Sequence, residues 1–331
     1  MHDVPQLFAK AISSRSERDQ RLLAASAVCV SDWFWLPLAA SIADLGEDDA
    51  DDAADALVNT SLMRVVNRDR RRFQAHAILR EQILAGRSQS EIDALQRRHA
   101  EALDALAGEW KAHSALQYQQ EIDLASTFLE AHGDAEQSLA MQRKAQPMWQ
   151  ELNNLAYVSL NYEGQALLLR KLGRIDEAIT MLEQQEAICL KLGDRDGLRR
   201  GYLDRAAILN SADRYQEALA LLDGQHAIVE DVDDREALLL ALTIRAFTLM
   251  RLPGRGEDAI RILEKVEKLA TDVGDKSSLA FCYWNWATIA EDLGQRSVAQ
   301  DKLSRAVKLF TDLKMVEARD AVQGFLNSLA G

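Results

Sequence analysis

Residue types that can do chemistry are present in this chain, but they form no catalytic or metal-binding motif. The histidines make no His-Glu-x-x-His pair, and no cluster of cysteines and histidines supplies four zinc ligands. There is no Gly-x-Ser-x-Gly nucleophile elbow, and Gly254-Arg255-Gly256 is typical of a turn between helices, because no strand precedes it. We therefore predict that the chain is not an enzyme and that it has no catalytic residues, no cofactor and no metal.

The composition limits the classes of partner and the compartment. The net charge of −13 over 331 residues disfavours nucleic acid and anionic membranes, because their phosphates would be repelled. Cys29, Cys189 and Cys282 are isolated in apolar helical contexts, so we expect reduced core residues. Residues 1–18 lack the apolar core of a secretory signal, and the apolar run at 33–43 is shorter than a membrane span. We expect a cytoplasmic protein without membrane contact.

Most of the chain is organised as a repeat. A series of small residues recurs at spacings of 40, 40, 40 and 41 residues: Ser126, Ala166, Ala206, Ala246 and Ala287. A second series follows it: Ser138, Ala178, Ala218, Ala259 and Ala299. Turn residues such as Gly173-Arg174 and Gly294-Gln295 separate the two series. Each unit therefore predicts a first helix, a tight turn and a second helix, and such a period indicates a helical solenoid.

The repeat resembles the tetratricopeptide (TPR) family. A large residue, mostly Tyr, stands four positions before the first-helix Ala, as in Tyr162-x-x-x-Ala166 and Tyr202-x-x-x-Ala206. The tract 173–178, Gly-Arg-Ile-Asp-Glu-Ala, is close to the family's usual turn. The resemblance implies a mainly α fold, a TPR-like α-α superhelical solenoid. A HEAT-type array has a similar period and is the competing interpretation.

The resemblance also implies a binding groove lined by the first helices. The implied partner-binding residues are Glu163, Arg170, Arg200, Arg205, Asn210, Thr243, Arg245, Phe281, Trp284 and Trp286. The family's seventh position is normally apolar, yet it holds Gln165, Arg205, Arg245 and Trp286 here. Two interpretations of these arginines stay open: their stems pack while their heads reach solvent, or they make the groove cationic. A cationic and aromatic groove predicts a protein or peptide partner that is acidic and has an apolar anchor.

The N-terminal part does not follow the repeat. Apolar periodicity predicts helices over 19–30, 33–43 and 47–59. Residues 62–66 and 71–75 flank a polar turn and predict a hairpin. Three helices followed by a two-stranded wing predict a winged-helix domain.

This part resembles the winged-helix subdomain of NB-ARC (STAND) signalling ATPases. The resemblance is carried by Trp-Phe-Trp-Leu-Pro-Leu at 33–38, by Ala-Leu-Val-Asn-Thr-Ser-Leu at 56–62 and by residues 73–81. In the family, a Met-His-Asp tract touches nucleotide at the point where this chain has Ala75-His76-Ala77. No Gly-x-x-x-x-Gly-Lys-Ser/Thr loop occurs, so we predict no nucleotide binding by this chain alone.

A winged helix could also bind DNA, which gives the alternative interpretation. Arg64, Arg68, Arg70, Arg71 and Arg72 would make the wing basic. The third helix, which would enter the major groove, instead carries six carboxylates between residues 47 and 55. We therefore expect the wing arginines to contact protein, with that acidic helix as one candidate.

These observations predict a winged-helix domain over residues 1–87, a connecting helix over 88–111, TPR-like repeats over 112–314 and a capping helix over 315–331. The predicted function is a non-enzymatic protein-binding scaffold, the sensor portion of a STAND-type signalling system. The alternative is a transcription regulator that joins a DNA-binding winged helix to a TPR ligand sensor.

Overall fold

The computed structural model describes residues 4–29, 33–69, 71–75, 77–106, 115–229 and 234–329. The chain forms two compact units, Met1–Leu172 and Gly173–Gly331. This division is coarser than the four segments expected from the sequence, which stay a prediction. Arg70, His76, the last residue of the helix predicted over 19–30 and residues 107–111 of the predicted connecting helix lie outside the described residues.

The first unit begins with helices and a small sheet. Its elements are α1 Val4–Ser13, α2 Glu17–Val28, β1 Phe34–Trp35, α3 Leu36–Ala43, α4 Glu47–Asn59, β2 Met63–Asn67, β3 Arg72–Ala75, α5 Ala77–Ala85, α6 Gln89–Leu106, α7 Ala115–Ala131, α8 Ala135–Glu151 and α9 Leu155–Lys171. The strands are antiparallel in the order β1-β3-β2. The three helices and the hairpin are present, but the helix predicted over 33–43 begins only at Leu36, because residues 34–35 pair with β3 as the unpredicted strand β1. Their identification as a winged-helix domain stays a prediction.

Local chemistry explains the ends of these helices. The Ser16 hydroxyl accepts a hydrogen bond from the backbone N–H of Asp19 and so caps α2. Pro37 lies in the first turn of α3, where a missing N–H costs little. Leu22, Leu38 and Leu57 of α2, α3 and α4 are fully buried and form part of the core between these helices.

Two of the five wing arginines, Arg68 and Arg71, contact the acidic helix, as expected from the sequence, whereas Arg64 donates to Gln74 and Arg72 lies over the Trp33 ring. Arg71 of the turn donates to Glu47 and, over 2.8 Å, to Asp51 Oδ1 of α4. Arg68 donates to Asp55 Oδ1 over 3.0 Å. These ion pairs hold the hairpin turn against α4.

The second unit consists of paired helices. Its elements are α10 Ile175–Leu192, α11 Arg195–Ser211, α12 Tyr215–Gly224, α13 His226–Val229, α14 Arg235–Met250, α15 Gly256–Val273, α16 Lys276–Asp292, α17 Arg296–Asp312 and α18 Val316–Ser328. Among these, α11, α14 and α16 are the predicted first helices. Their phased residues Ala206, Ala246 and Ala287 are at most 1% exposed, as expected where two backbones approach closely.

Glycine and aspartate end one helix and begin the next. Gly193 and Gly274 adopt the left-handed conformation, with φ of 68° and 76°, at the ends of α10 and α15. Asp194 and Asp275 then accept hydrogen bonds from the backbone N–H groups of Gly197 and Ser278. The residues that lengthen the repeat beyond the family's usual period therefore act as caps between repeats.

Candidate partner-binding site

The predicted binding residues lie on the first helices of the repeats. Glu163 and Arg170 belong to α9 of the first unit, where Glu163 is half-buried and Arg170 is exposed. The other eight are in the second unit: Arg200, Arg205 and Asn210 on α11, Thr243 and Arg245 on α14, and Phe281, Trp284 and Trp286 on α16. The structure separates these eight into inward-facing and outward-facing residues.

Two seventh-position arginines have acidic partners on the preceding second helix. Arg205 Nη1 donates to Glu186 Oε2 of α10 over 3.2 Å. Arg245 is 9% exposed; it pairs with Asp223 of α12 and donates to the Leu222 carbonyl over 3.0 Å. These contacts favour the packing interpretation, because each guanidinium has a partner within the unit.

The other seventh-position residues also pack within their own unit. In the first unit, Gln165 donates to Gln146 Oε1 of α8 over 2.9 Å. In the second, Lys302 Nζ lies 3.5 Å from the centre of the Trp286 ring, in a cation–π contact, and pairs with Glu267 Oε2 at 3.0 Å. The seventh position of each of these four first helices thus makes a polar or cation–π contact with a second helix. A role of Arg205, Arg245 and Trp286 in partner binding stays a prediction.

Asn210 and Thr243 also have contacts within the unit. Asn210 is 7% exposed, and its amide exchanges hydrogen bonds with the Thr248 hydroxyl at 2.9 and 3.1 Å. The Thr243 hydroxyl donates to the Leu239 carbonyl of its own helix. Asn210 therefore joins α11 to α14.

The outward-facing residues occupy the second position of each first helix. Arg200, Leu240 and Phe281 are equivalent in register on α11, α14 and α16, and all three are exposed. Leu240 is 53% exposed and Phe281 37%, which is high for large apolar side chains. We call these three residues the second-position row. Leu240 was not among the binding residues expected from the sequence, although the register that it shares with Arg200 and Phe281 was the signal that could have found it.

An aromatic cluster supports the row at Phe281. The Phe281 ring stacks on Trp284 with centroids 6.2 Å apart and meets the buried Phe310 edge-on at 5.0 Å. Trp284 also contacts Phe310 edge-on. These contacts restrict the orientation of Phe281, so less side-chain entropy is lost when a partner covers it.

No family model and no curated protein matches this chain. Among solved structures, it is similar to a STAND protein with a tetratricopeptide repeat sensor from Pyrococcus horikoshii (14% identity, TM-score 0.54), with 98% of this chain and 55% of that chain covered. It is also similar to BtubC (BKLC) from P. vanneervenii (16% identity, TM-score 0.58), with 66% of this chain and 91% of that chain covered.

A third similar structure is a putative kinesin light chain with nearly identical TPR-like repeats from Podosopora anserina (18% identity, TM-score 0.52), with 61% of this chain and 98% of that chain covered. The fold is a TPR-like helical solenoid. The similarity at these identities concerns the fold alone, and the chain spans about half the length of the STAND protein. Within the part of the chain that the structure describes, no helix has the length and apolar character needed to cross a membrane.

Proposed function

We propose that this chain is a non-enzymatic binding scaffold and that its second unit recognises a protein or peptide through the second-position row. The observation that carries the proposal is the exposure of Leu240 and Phe281 at equivalent positions of neighbouring first helices. Two large apolar side chains in one register give a partner an apolar surface to cover.

The row also indicates the chemistry of the partner that we expect. Phe281 is the anchor, because aromatic side chains supply large contact areas and are frequent hot spots. Arg200 stands at the equivalent position on α11 and places a cation at one end of the row. An acidic residue of the partner is attracted to that end. The expected partner is therefore a segment with an apolar side chain followed or preceded by carboxylates.

The wider role that we propose is that of a sensor in a STAND-type signalling system. It is supported by the N-terminal resemblance at residues 33–38 and 73–81 and by the similarity to a solved STAND protein with a TPR sensor. DNA binding receives no comparable support. Arg68 and Arg71 are paired with carboxylates of α4.

The proposal can be tested with peptides selected from a random displayed library against the full chain. Affinities of the selected peptides would be measured for wild type, Leu240→Glu and Phe281→Glu. Each variant is expected to weaken binding at least about tenfold, because a carboxylate would replace an apolar side chain that the bound peptide covers. Leu190→Glu is the matched control, since Leu190 is 60% exposed on the second helix α10.

Circular dichroism would verify that all three variants are folded. Equal binding by wild type, Leu240→Glu and Phe281→Glu would contradict the proposal. Loss of binding in Leu190→Glu alone would place the site on the second helices instead.

A further inference from the structure

Three side chains that commonly bind metals meet in the interior of the first unit. Cys29 directly follows α2, His99 lies on α6 and Glu121 lies on α7. One ligand atom from each lies within 4.8 Å of the other two. The side chains are buried, with 1% exposure for Cys29 and 0% for His99 and Glu121. We call these three residues the interior cluster.

One ring nitrogen of His99 in this cluster lacks a hydrogen-bond partner among the described residues. The Nε2 atom of His99 lies 2.9 Å from Glu121 Oε2, and its Nδ1 has no hydrogen-bond partner among the residues that the structure describes. A buried polar atom without a partner costs free energy, and such atoms are rare in folded proteins. The cluster therefore contains an imidazole nitrogen that packing alone does not explain.

The charges around the cluster suit a cation. Burial and the charge of Glu121 raise the pKa of the Cys29 thiol, and the positive charge of Arg80 on α5 opposes this rise in part. A thiolate at Cys29 and a carboxylate at Glu121 contribute −2, and Arg80 contributes +1, which leaves −1. A divalent ion would more than balance this net charge of −1, and its binding displaces the proton of the Cys29 thiol.

We propose that Cys29, His99 and Glu121 bind a divalent transition metal, of which zinc fits best. Zinc takes thiolate, imidazole and carboxylate ligands in tetrahedral geometry, whereas calcium and magnesium prefer oxygen ligands alone. Bond lengths of about 2.0 to 2.3 Å put tetrahedral ligand atoms about 3.3 to 3.6 Å apart. Binding would thus require His99 Nε2 and Glu121 Oε2 to separate slightly from 2.9 Å, and any pair of ligand atoms that is now up to 4.8 Å apart to close to this range. The fourth position would be left for water.

The role of this site is structural. Its ligands have almost no contact with solvent, so a substrate has no route to the metal. The metal would instead join α6 and α7 to the end of α2 within the first unit. No metal was predicted from the sequence, because these residues are far apart in the chain and belong to no motif.

The test is a cobalt(II) and zinc titration of the full chain, prepared without a polyhistidine tag and stripped with a chelator. Wild type is expected to bind about one cobalt ion per chain and to show a thiolate-to-cobalt charge-transfer band. The variant Cys189→Ala/Cys282→Ala leaves Cys29 as the only cysteine and should keep the band. Cys29→Ala should lose the band and weaken zinc binding at least about tenfold.

Two results would overturn the proposal. One is a wild-type chain that binds no cobalt at micromolar protein concentration, which would make the interior cluster a hydrogen-bonded core contact. The other is a band that persists in Cys29→Ala. If Cys29→Ala does not fold, the double-cysteine variant decides: a missing band in that folded variant refutes the site.

Discussion

The Tyr202 hydroxyl donates a hydrogen bond to Glu186 Oε1 over 2.8 Å, and Tyr283 makes the same contact with Glu267 Oε1 over 2.8 Å. In both pairs the tyrosine follows the glutamate by 16 residues. The contact joins the second helix of one repeat to the first helix of the next. This Tyr–Glu hydrogen bond therefore recurs in the second unit at equivalent positions of the repeat, as the small residues do.

Removal of this hydroxyl is expected to destabilise the second unit. Tyr202→Phe removes one of the donors to the Glu186 carboxylate. Arg205 still pairs with this carboxylate, so it is not left without a partner. The expected cost is about 1.5 to 2 kcal/mol in the free energy of unfolding, the lower part of the range for a hydrogen bond to a charged group. Urea denaturation monitored by circular dichroism would measure it. Tyr215→Phe is the control, since its hydroxyl contacts Asp213 at the surface, and an equal loss there would contradict the importance of burial.

The same tyrosine predicts a loss of stability at alkaline pH. Burial, together with the hydrogen bond to Glu186, raises the pKa of Tyr202 to about 12. Its unfolded pKa is about 10, so folding favours the neutral phenol. The stabilisation is fully present below about pH 10 and is lost as the pH rises through the folded pKa.

The measurement is the stability difference between wild type and Tyr202→Phe at about pH 9 and at about pH 11.5. We expect the difference to shrink at the higher pH, because wild type alone loses the contribution of the Tyr202 phenol. A difference that stays constant over this range would mean that Tyr202 titrates like an exposed tyrosine.

The packing of the repeats predicts a contrast between two adjacent alanines. Ala206 is fully buried, whereas Ala207 is half-buried on the next position of α11. Ala206→Leu should overpack the contact between helices and cost roughly 1 to 3 kcal/mol. Ala207→Leu should change stability by less than about 0.5 kcal/mol. Thermal melts of both variants would show whether the small-residue register is correct, since equal melting temperatures would mean that it is not.

The part of the fold that was predictable depends on local patterns. Small residues at fixed spacing and Gly-Asp turns are encoded within each repeat, and the bounds of α4, residues 47–59, follow from its own periodicity. The direction of Arg205 and Arg245 was not predictable from their own helices. It depends on Glu186 and Asp223, which lie 19 and 22 residues earlier on other helices.

The interior cluster shows the same limit more strongly. Cys29, His99 and Glu121 come from three different helical segments, and no spacing rule connects them. Their proximity exists only after α6 and α7 pack in the first unit. The two-residue strand β1 was also missed, because a strand this short has no periodicity to detect.

The ion pairs between the wing and α4 predict how DNA binding could be created. Arg71 and Arg68 are held by Glu47, Asp51 and Asp55. The triple variant Glu47→Gln/Asp51→Asn/Asp55→Asn removes these carboxylates, and its net charge changes from −13 to −10. The released guanidiniums can then contact phosphates, so we expect an affinity for duplex DNA at low salt at least about tenfold above that of wild type.

Fluorescence anisotropy with a labelled duplex at two salt concentrations would measure this gain, which should disappear as salt increases. The control variant Glu81→Gln/Glu101→Gln/Glu151→Gln changes the net charge by the same amount at exposed positions away from the wing. If the control gains as much affinity as the triple variant, the effect comes from net charge rather than from the wing arginines. If wild type already binds DNA as tightly as the triple variant, the ion pairs to α4 do not prevent binding, and the transcription-regulator alternative becomes the better interpretation of the first unit.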